Sequence, residues 1–210
     1  IVDIDLEKFF DTVNHDRLMS IIGRTIKDGD VISIVRKFLV SGVMIDKEFE
    51  ESVIGTPQGG NISPLLANIM LNELDKEMEK RGLRFVRYAD DCIIMAKSEM
   101  SAKRIMRNIS RFIEEKLGLK VNMSKSKIDR PKGIKYLGFG FYYDTRAGLY
   151  KAKPHQKSVM KFKARMKELT KRSWGVSNKY KVIKLNQLII GWVNYFKIGS
   201  MKTLCKTMDE

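Results

Sequence analysis

Cysteine is scarce in this sequence, and long apolar runs are absent from it. The two cysteines, Cys92 and Cys205, lack the spacing of a Cys-x-x-Cys or Cys/His site, so neither a zinc site nor a disulfide framework is indicated. Cys92 is expected to pack as a small apolar residue. No run is long enough to cross a bilayer and no signal-peptide pattern opens the chain. We therefore expect a soluble, cytoplasmic protein without a membrane partner.

Acidic residues are scarce in the last third of the chain. Residues 151–210 contain 15 Lys and Arg against 3 Asp and Glu, whereas residues 1–150 contain 25 against 22. Nearly all of the formal net charge of +15 therefore belongs to the C-terminal part. This asymmetry indicates a near-neutral front part and a polyanion-binding surface behind it.

An apolar helical face runs through the basic C-terminal part. Val159, Phe162, Met166 and Leu169 recur at helical spacing, which predicts a helix that packs on its neighbour and lies along phosphates with its other faces. A solvated face or a membrane-surface segment is the alternative interpretation. The candidate polyanion-binding residues around the apolar face are Lys161, Lys163, Arg165, Lys167, Lys171 and Arg172.

Two adjacent carboxylates, Asp90 and Asp91, lie between two segments that are typical of β-strands. Residues 84–88 lead in, and residues 92–96 lead out and are apolar enough to be buried. Adjacent acids repel each other and are costly to desolvate, which favours a bound cation such as Mg²⁺. The pattern indicates phosphoryl or nucleotidyl transfer. Alternatively, the two residues are Asp only because Asp suits tight turns.

A second acidic strand is predicted at the start of the chain. Residues 1–6 alternate apolar and acidic, which places Asp3 and Asp5 on one face and Ile4 and Leu6 on the other. Either acid could be the third carboxylate that a two-metal site takes from a second strand. We favour Asp5, because it lies at the end of the strand.

A glycine-rich segment, residues 54–64, lies between these two acidic strands. Ser63 and Pro64 are predicted to be the N-cap and first-turn residues of a following helix. The Gly59-Gly60 pair lets backbone approach a ligand closely, and a helix N-terminus offers free N–H groups. A turn without a ligand is the alternative.

The remaining patterns place helices and strands in an α+β order. The helices and strands are predicted from caps, glycines and alternation. Helices are expected over 16–26, 31–40, 63–81 and 99–117, a hairpin over 43–53, and strands over 133–143 and 148–153. In the C-terminal part, a second helix is expected to pack against the first through Leu188, Ile189, Trp192, Val193 and Phe196.

Three segments in this order resemble the palm of reverse transcriptases. Residues 5–11 are similar to the first catalytic motif, residues 57–59 with Ser63 and Pro64 to the second, and residues 88–91 to the third. Downstream, residues 119–128 resemble the fourth motif, and residues 136–139 resemble the primer-gripping hairpin.

Other details resemble the group II intron reverse transcriptase/maturase branch. They include residues 9–11 with Asn14 and His15, and residues 56–60. Residues 185–186 and 191–196 are similar to the maturase thumb, also called the X domain. The resemblance implies a palm over residues 1–150, with an antiparallel sheet and packed helices in an α+β fold, followed by an α-helical thumb over residues 151–210.

The resemblance also implies residue roles. Asp5, Asp90 and Asp91 would bind two Mg²⁺ ions, which Mn²⁺ could replace, with the Leu6 carbonyl as a further ligand. Phe10 would be the steric gate that blocks a ribonucleotide 2′-hydroxyl, although a core aromatic is the alternative. The other nucleotide-binding residues would be Pro57, Gln58, Gly59 and Lys125, the last near the departing pyrophosphate unless it is merely solvated. Primer and template would contact Tyr88, Leu137, Gly138 and Phe139.

The resemblance implies an RNA-directed DNA polymerase that uses dNTPs, an RNA template with a DNA primer, and structured intron RNA as partners. A non-catalytic maturase core that only binds intron RNA is the alternative, and a palm-containing nucleotidyl cyclase is a remoter one. Because the sequence begins directly on the first catalytic strand, we expect it to lack the fingers that precede this strand in the family.

Overall fold

The computed structural model describes residues 1–41, 43–45, 48–50, 54–56 and 60–209. The chain divides into two compact units, Ile1–Ile128 and Asp129–Glu210. The unit that contains the C-terminal helices thus begins before residue 151, because the strands that follow Asp129 cluster with those helices. The assignment of residues 1–150 to a palm and 151–210 to a thumb stays a prediction.

A four-stranded antiparallel sheet forms the centre of the first unit. Its strand order is β4-β5-β1-β6, with β1 at Val2–Ile4, β4 at Arg84–Tyr88, β5 at Asp91–Met95 and β6 at Lys127–Ile128. A separate hairpin pairs β2, Val43–Ile45, with β3, Glu48–Glu50. Both acidic strands predicted from the sequence are therefore central neighbours in one sheet.

The two faces of this sheet differ in chemistry. Val2 and Ile4 are buried, and they pair across the strands with Ile94 and Cys92, which are buried too. Because side chains alternate along a strand, Asp3 lies on the opposite face. The predicted split between apolar and acidic faces of the first strand is confirmed.

Among the described residues of the first unit, five segments are α-helical. They are α1 (Phe9–Thr12), α2 (His15–Thr25), α3 (Gly29–Val40), α4 (Ser63–Lys80) and α5 (Glu99–Phe112), and a π-helical turn at Ile113–Leu117 extends the last of them. Helices α4 and α5 contribute Leu66, Met70, Leu74, Met106 and Ile109 to the core. Helix α5 with its extension ends at Gly118, which has φ 67°, as a left-handed helix terminus requires.

One predicted cap is wrong. Helix α4 begins at Ser63 itself, its N-cap residue is Ile62, and that position makes no side-chain capping bond. Ser63 is buried within the first turn, so its hydroxyl does not sit outside the helix as an N-cap hydroxyl would. Pro64 does occupy the first turn, as predicted.

The second unit combines a three-stranded antiparallel sheet with three helices. Strands β7 (Lys135–Tyr136), β8 (Phe139–Asp144) and β9 (Leu149–Pro154) lie in that order. The helices are α6 (Gln156–Leu169), α7 (Asn178–Phe196) and α8 (Lys202–Asp209), the last of which the sequence did not predict.

Aromatic contacts join the helices of the second unit. Phe162 of α6 is buried and stacks on Trp192 of α7 with ring centroids 4.5 Å apart. The predicted packing of the second C-terminal helix on the first is therefore confirmed, and so is the α+β fold class. In the described part of the chain, no helix is both long and apolar enough to span a bilayer.

Candidate active site

The residue that follows β1, Asp5, is held through its backbone by a distant turn. Its amide donates a hydrogen bond to Ser126 Oγ at 3.0 Å, and its carbonyl accepts one from the amide of Asn122 at 2.9 Å. Leu6 continues the pairing through an isolated antiparallel bridge to Val121. Both ends of the Asp5 peptide unit are thereby fixed, and its half-buried side chain lies on the acidic face.

Asp90 and Asp91 lie where the β4–β5 hairpin turns. Ala89 adopts φ 52° in this turn, a left-handed conformation that is unusual for a residue with a Cβ. Arg87 supports the turn, because its Nη1 donates to the Ala89 carbonyl at 2.8 Å. The same guanidinium donates through Nε to Asp75 of α4 at 2.7 Å, which ties the hairpin to a core helix.

Strand register brings Asp5 and Asp91 together. Strands β1 and β5 pair Val2 with Ile94 and Ile4 with Cys92, so the next position of this register sets Asp5 across from Asp91. Directly opposed side chains in an antiparallel pair have Cβ atoms about 5 Å apart. The first and third motifs therefore converge on one face of the sheet, and Asp90 follows in the adjoining turn.

The pKa of Asp3 also indicates that the acids of the two motifs lie close together. Its pKa is raised above 3.8, chiefly because burial disfavours the carboxylate. The carboxylates of Asp91 and Asp5 raise this pKa further, whereas the charge of Lys127 opposes the shift. Asp3 therefore lies within electrostatic reach of the other two acids.

The acids supply the oxygen donors that a hard divalent cation prefers. Within the described residues, no group of three or more His, Cys, Asp or Glu side chains is close enough together to hold a metal ion. The chemistry of the donors and the register of their strands fit a cation. Their assignment as ligands, including the Leu6 carbonyl, stays a prediction.

Lys125 lies beside the first acid. Its Nζ is 3.9 Å from Asp5 Oδ1, and its side chain is exposed. The turn that carries it is closed by Asn122, whose Oδ1 accepts hydrogen bonds from the amides of Ser124 and Lys125 at 3.2 and 3.3 Å. The fourth motif thus places a cation at the acidic face, although its role toward pyrophosphate stays a prediction.

The start of the glycine-rich segment is bound to the helix that carries Phe10. The Thr56 amide donates to the Phe10 carbonyl at 2.6 Å, and the Gly55 amide donates to the Val13 carbonyl at 2.9 Å. Gly55 has φ 97°, and a Cβ there would lie 2.8 Å from the Phe10 carbonyl oxygen. Only glycine therefore permits this approach.

The ring of Phe10 is half-buried against the core, and it meets Phe9 edge-on with centroids 5.2 Å apart. The core contact and the steric-gate role are compatible, because part of the ring stays accessible. The segment bound to its carbonyl leads directly to Pro57, Gln58 and Gly59, which lie outside the described residues. Their nucleotide-binding roles stay predictions.

The predicted primer and template residues fall in both units. In the first unit, Tyr88 pairs with Asp91 and is 65% exposed on the acidic face. In the second unit, Leu137 and Gly138 form the turn between β7 and β8 with φ 47° and 80°. Tyr195 supports this turn, because its hydroxyl donates to the Leu137 carbonyl at 2.9 Å and its ring stacks on Phe139.

The predicted polyanion-binding residues all lie at the surface of the second unit. Four are exposed on α6 and two are exposed in the turn that follows it. Arg165 is the one of them whose charge is matched by a nearby carboxylate, with Nη1 2.6 Å from Glu168 Oε2. The exposed residues are Lys161, Lys163, Arg165, Lys167, Lys171 and Arg172.

The sequence interpretation missed the residues that support the acids. Ser126 and Asn122 hold the backbone of Asp5, and the ion pair between Arg87 and Asp75 holds the turn of the other two acids. The pattern Asn122-x-Ser124 is typical of an Asx turn and could have indicated the first support. Nothing local in the sequence indicates the second.

Two family models match this chain. The model described as reverse transcriptase (RNA-dependent DNA polymerase) matches residues 1–141. The model described as group II intron, maturase-specific domain matches residues 159–210. Together they cover the motifs and the C-terminal helices discussed above.

The chain is also similar to individual intron-encoded proteins. The chain is 29% identical over 215 residues to a COX1/OXI3 intron 2 protein of Saccharomyces cerevisiae, an alignment that covers 74% of this chain and 25% of that protein. It is 35% identical over 112 residues to the group II intron-encoded protein LtrA of Lactococcus lactis, which covers 52% of this chain and 19% of that protein. The chain therefore spans about a quarter or less of the length of these relatives.

Solved structures support the fold. Apo telomerase from Candida tropicalis, truncated from its C-terminal domain, aligns with a TM-score of 0.56 at 15% identity over 73% of this chain and 35% of that chain. At this identity the likeness concerns the fold.

Proposed function

This chain belongs to the reverse transcriptase family, in its group II intron maturase branch, and on that premise we propose that it provides the catalytic centre of an RNA-directed DNA polymerase. The polymerase would add deoxynucleotides to a DNA primer on an RNA template. The observation that carries the proposal is the register that sets Asp5 across from Asp91, with Lys125 beside them.

Reverse transcriptases as a family depend on divalent metal ions. The finer proposal is that Asp5, Asp90, Asp91 and the Leu6 carbonyl hold two Mg²⁺ ions, with Mn²⁺ as a possible substitute. Metal bound there would activate the primer 3′-hydroxyl and stabilise charge on the reacting phosphate.

The chain's own residues would position the reactants. The hydrogen bonds from Ser126 and Asn122 fix the backbone of Asp5. Lys125 would place its ammonium near the departing pyrophosphate, where it can offset negative charge and donate a proton. The ring of Phe10 would occupy the space that a 2′-hydroxyl needs, and its backbone is fixed by Gly55 and Thr56.

We also propose that the second unit binds structured intron RNA and assists splicing. Between Glu168 and Asp209 the sequence has no acidic residue, so α7 carries no negative charge that would repel a phosphate. The match to a maturase-specific domain over residues 159–210 supports this role. A nucleotidyl cyclase would not need these helices. Localisation in the cytoplasm stays a prediction.

Primer extension by variants of the full-length protein tests the catalytic proposal. Asp90→Asn and Asp91→Asn should each reduce extension to background in Mg²⁺. RNA affinity should be unchanged or slightly higher, because a negative charge is removed. Asp3→Asn is the matched control, since it neutralises an acid of the same face that is not assigned to the metal, and it should retain extension.

Wild-type rates in the Asp91→Asn variant would overturn the catalytic assignment. If the wild-type protein extends no primer but binds intron RNA, the non-catalytic maturase core is the function instead. The exposed basic side chains of α6 and the match to a maturase-specific domain over residues 159–210 are the observations that support this second candidate.

A further inference from the structure

Helix α5 carries a row of basic side chains on its outward surface. Lys103, Arg104, Arg107 and Arg111 are all exposed. At 3.6 residues per turn they lie within an arc of about 100°, along about 12 Å of helix. These four residues, the α5 ridge, form a row of positive charges in a unit whose composition is otherwise near neutral.

Most arginines elsewhere in the first unit are paired with carboxylates. The pairs are Arg24–Glu73, Arg36–Asp16, Arg81–Glu77 and Arg87–Asp75, whereas Arg17 and Arg84 form no ion pair with the described residues. Among the residues that the structure describes, neither Arg104 nor Arg107 forms an ion pair, and Arg111 reaches only the amide oxygen of Asn108 at 3.4 Å. Lys103 is the one member paired with an acid, Glu99. Most of the ridge charge is therefore not neutralised.

The ridge lies away from the acidic face of the sheet. The opposite side of α5 buries Ala102, Met106 and Ile109 in the core that contains Val2 and Ile4 of β1. Asp3 and Asp5 project from the other face of that strand. A polyanion on the ridge and a substrate at the acids would thus occupy different sides of the unit.

Two grooves run beside the ridge. One, of about 450 Å³, combines Lys103, Arg104 and Arg107 with the side chains of Ser98, Met100 and Ser101. The other, of about 600 Å³, is also lined by Lys103, Arg107 and Arg111, and its remaining lining combines Glu114 and Glu115 with Ser110 and three apolar side chains, Met106, Met123 and Ile128. Arginine forks beside hydroxyl groups suit phosphates and sugars, and the two glutamates set the C-terminal limit of the positive surface.

The apolar side of α5 argues against a membrane partner. A helix that lies in a membrane surface inserts its apolar face among the lipids, but this face is already buried in the core. The exposed apolar residue within the arc is Met100, which alone cannot anchor a helix.

We propose that the α5 ridge is an RNA-binding surface of the first unit that contacts phosphates of structured RNA independently of the thumb helices and of the catalytic acids. The proposal rests on the proposed binding of intron RNA and adds a second contact region to it. Such a region would hold one part of a folded RNA on the back of the sheet while another strand occupies the acidic face.

Salt titration of RNA binding tests the proposal. The double variant Arg104→Gln/Arg107→Gln should bind a fluorescein-labelled RNA hairpin more weakly than the wild type. The slope of log affinity against log salt should flatten by about 1.4 to 1.8, because each phosphate contact contributes about 0.7 to 0.9. The matched control Lys37→Gln/Lys80→Gln removes two exposed charges of the same unit and should leave the slope unchanged.

Two parallel measurements separate this proposal from the proposed function. Extension of a preformed primer–template should be unchanged in the Arg104→Gln/Arg107→Gln variant. A wild-type slope in that variant would overturn the ridge even if the catalytic variants behave as proposed. Poly-glutamate serves as a probe for an acidic protein partner. If the Arg104→Gln/Arg107→Gln variant lost poly-glutamate binding but kept its RNA binding, the proposal would also be overturned, because the ridge would then bind an acidic protein.

Discussion

The backbone amide of Asp5 donates a hydrogen bond to the hydroxyl of Ser126, 121 residues further along the chain, at 3.0 Å. The turn that contains Ser126 also carries Lys125, whose ammonium is 3.9 Å from the Asp5 carboxylate. One short segment therefore sets the position of an acid and of a cation at the candidate active site. Ser126 bonds the backbone of Asp5 and not its carboxylate, so its role would be to position Asp5.

Replacing Ser126 with Ala should lower the rate of catalysis more than substrate binding. The Asp5 amide would lose its partner, which we expect to cost about 1 kcal/mol of stability. A similar loss of transition-state stabilisation corresponds to a fall in kcat of about fivefold. Steady-state primer extension should give this lower kcat with nearly the same KM for dNTP, and Ser126→Thr should restore it. Equal kcat values for Ser126→Ala and the wild type would contradict the positioning role.

Phe10 is expected to select the sugar of the incoming nucleotide. Phe10→Val should let ribonucleotides compete with deoxynucleotides, because the smaller side chain no longer fills the space of a 2′-hydroxyl. Single-nucleotide incorporation with paired dNTP and rNTP measures the ratio. Phe9→Leu is a suitable control, since Phe9 is buried beside Phe10 and should change stability but not sugar selection. If the ratio of dNTP to rNTP incorporation were the same in Phe10→Val as in the wild type, Phe10 would be a core residue without a role in sugar selection.

The ion pair between Arg87 and Asp75 should be essential for stability. The Arg87 side chain is 11% exposed and that of Asp75 is 19% exposed, so removing one partner leaves a charge poorly solvated. We expect Arg87→Met to reduce the free energy of unfolding by about 3 kcal/mol, and Arg87→Met/Asp75→Leu to recover part of that loss. Urea unfolding measures both. Arg84→Met, an exposed arginine of the same strand, should change stability by less than about 0.5 kcal/mol.

Local patterns predicted much of the fold and of the site. The alternation of apolar and acidic residues predicted the two faces of β1. The two adjacent acids between strand-like segments predicted the β4–β5 hairpin. Both patterns involve only residues that are neighbours in the sequence. Gly118 marked the end of α5 and its extension for the same reason. Resemblance added the order of the motifs, and the register of β1 with β5 brings Asp5 and Asp91 of these motifs together.

Tertiary contacts account for what the sequence did not predict. Ser126, Arg87 and Asp75 act on residues that are distant in sequence or lie on another element, which no local pattern reports. Helix α8 spans only eight residues, Lys202–Asp209, too few for its apolar spacing to distinguish a helix from a strand or a loop. The α5 ridge was missed because charges averaged over residues 1–150 concealed a local excess on one helix.

The Cys92 thiol should stay protonated well above ordinary pH. Burial, and to a smaller extent the nearby Asp75 carboxylate, raises its pKa from 9.0 to about 12. In the folded protein the thiol binds its proton more tightly than in the unfolded chain, so its contribution to stability is complete below pH 9 and is lost between about pH 9 and 12. Thiol labelling with Ellman's reagent at pH 8 should therefore modify Cys205 and leave Cys92 unreacted until the protein unfolds. Two reactive thiols in the native protein would contradict the burial.

RNA binding by the second unit should depend strongly on salt. Lys161, Lys163 and Lys167 are exposed on α6, away from the buried residues Phe162 and Leu169, so replacing the three lysines with Gln should preserve the fold. Each lysine that contacts a phosphate contributes a little under one to the salt slope, so the triple variant should flatten it by up to about three.

Arg165→Gln is the informative comparison for this surface. The Arg165 guanidinium is already paired with Glu168. The Arg165→Gln substitution should therefore change the salt slope by less than a single Lys→Gln substitution does. Intact helix content by circular dichroism establishes that the variants fold. Because the ridge on α5 belongs to another unit, combining the triple variant with Arg104→Gln/Arg107→Gln should add the two changes in slope, as independent contacts do. An unchanged slope in the triple variant would place the RNA elsewhere and leave α6 with an ordinary solvated face.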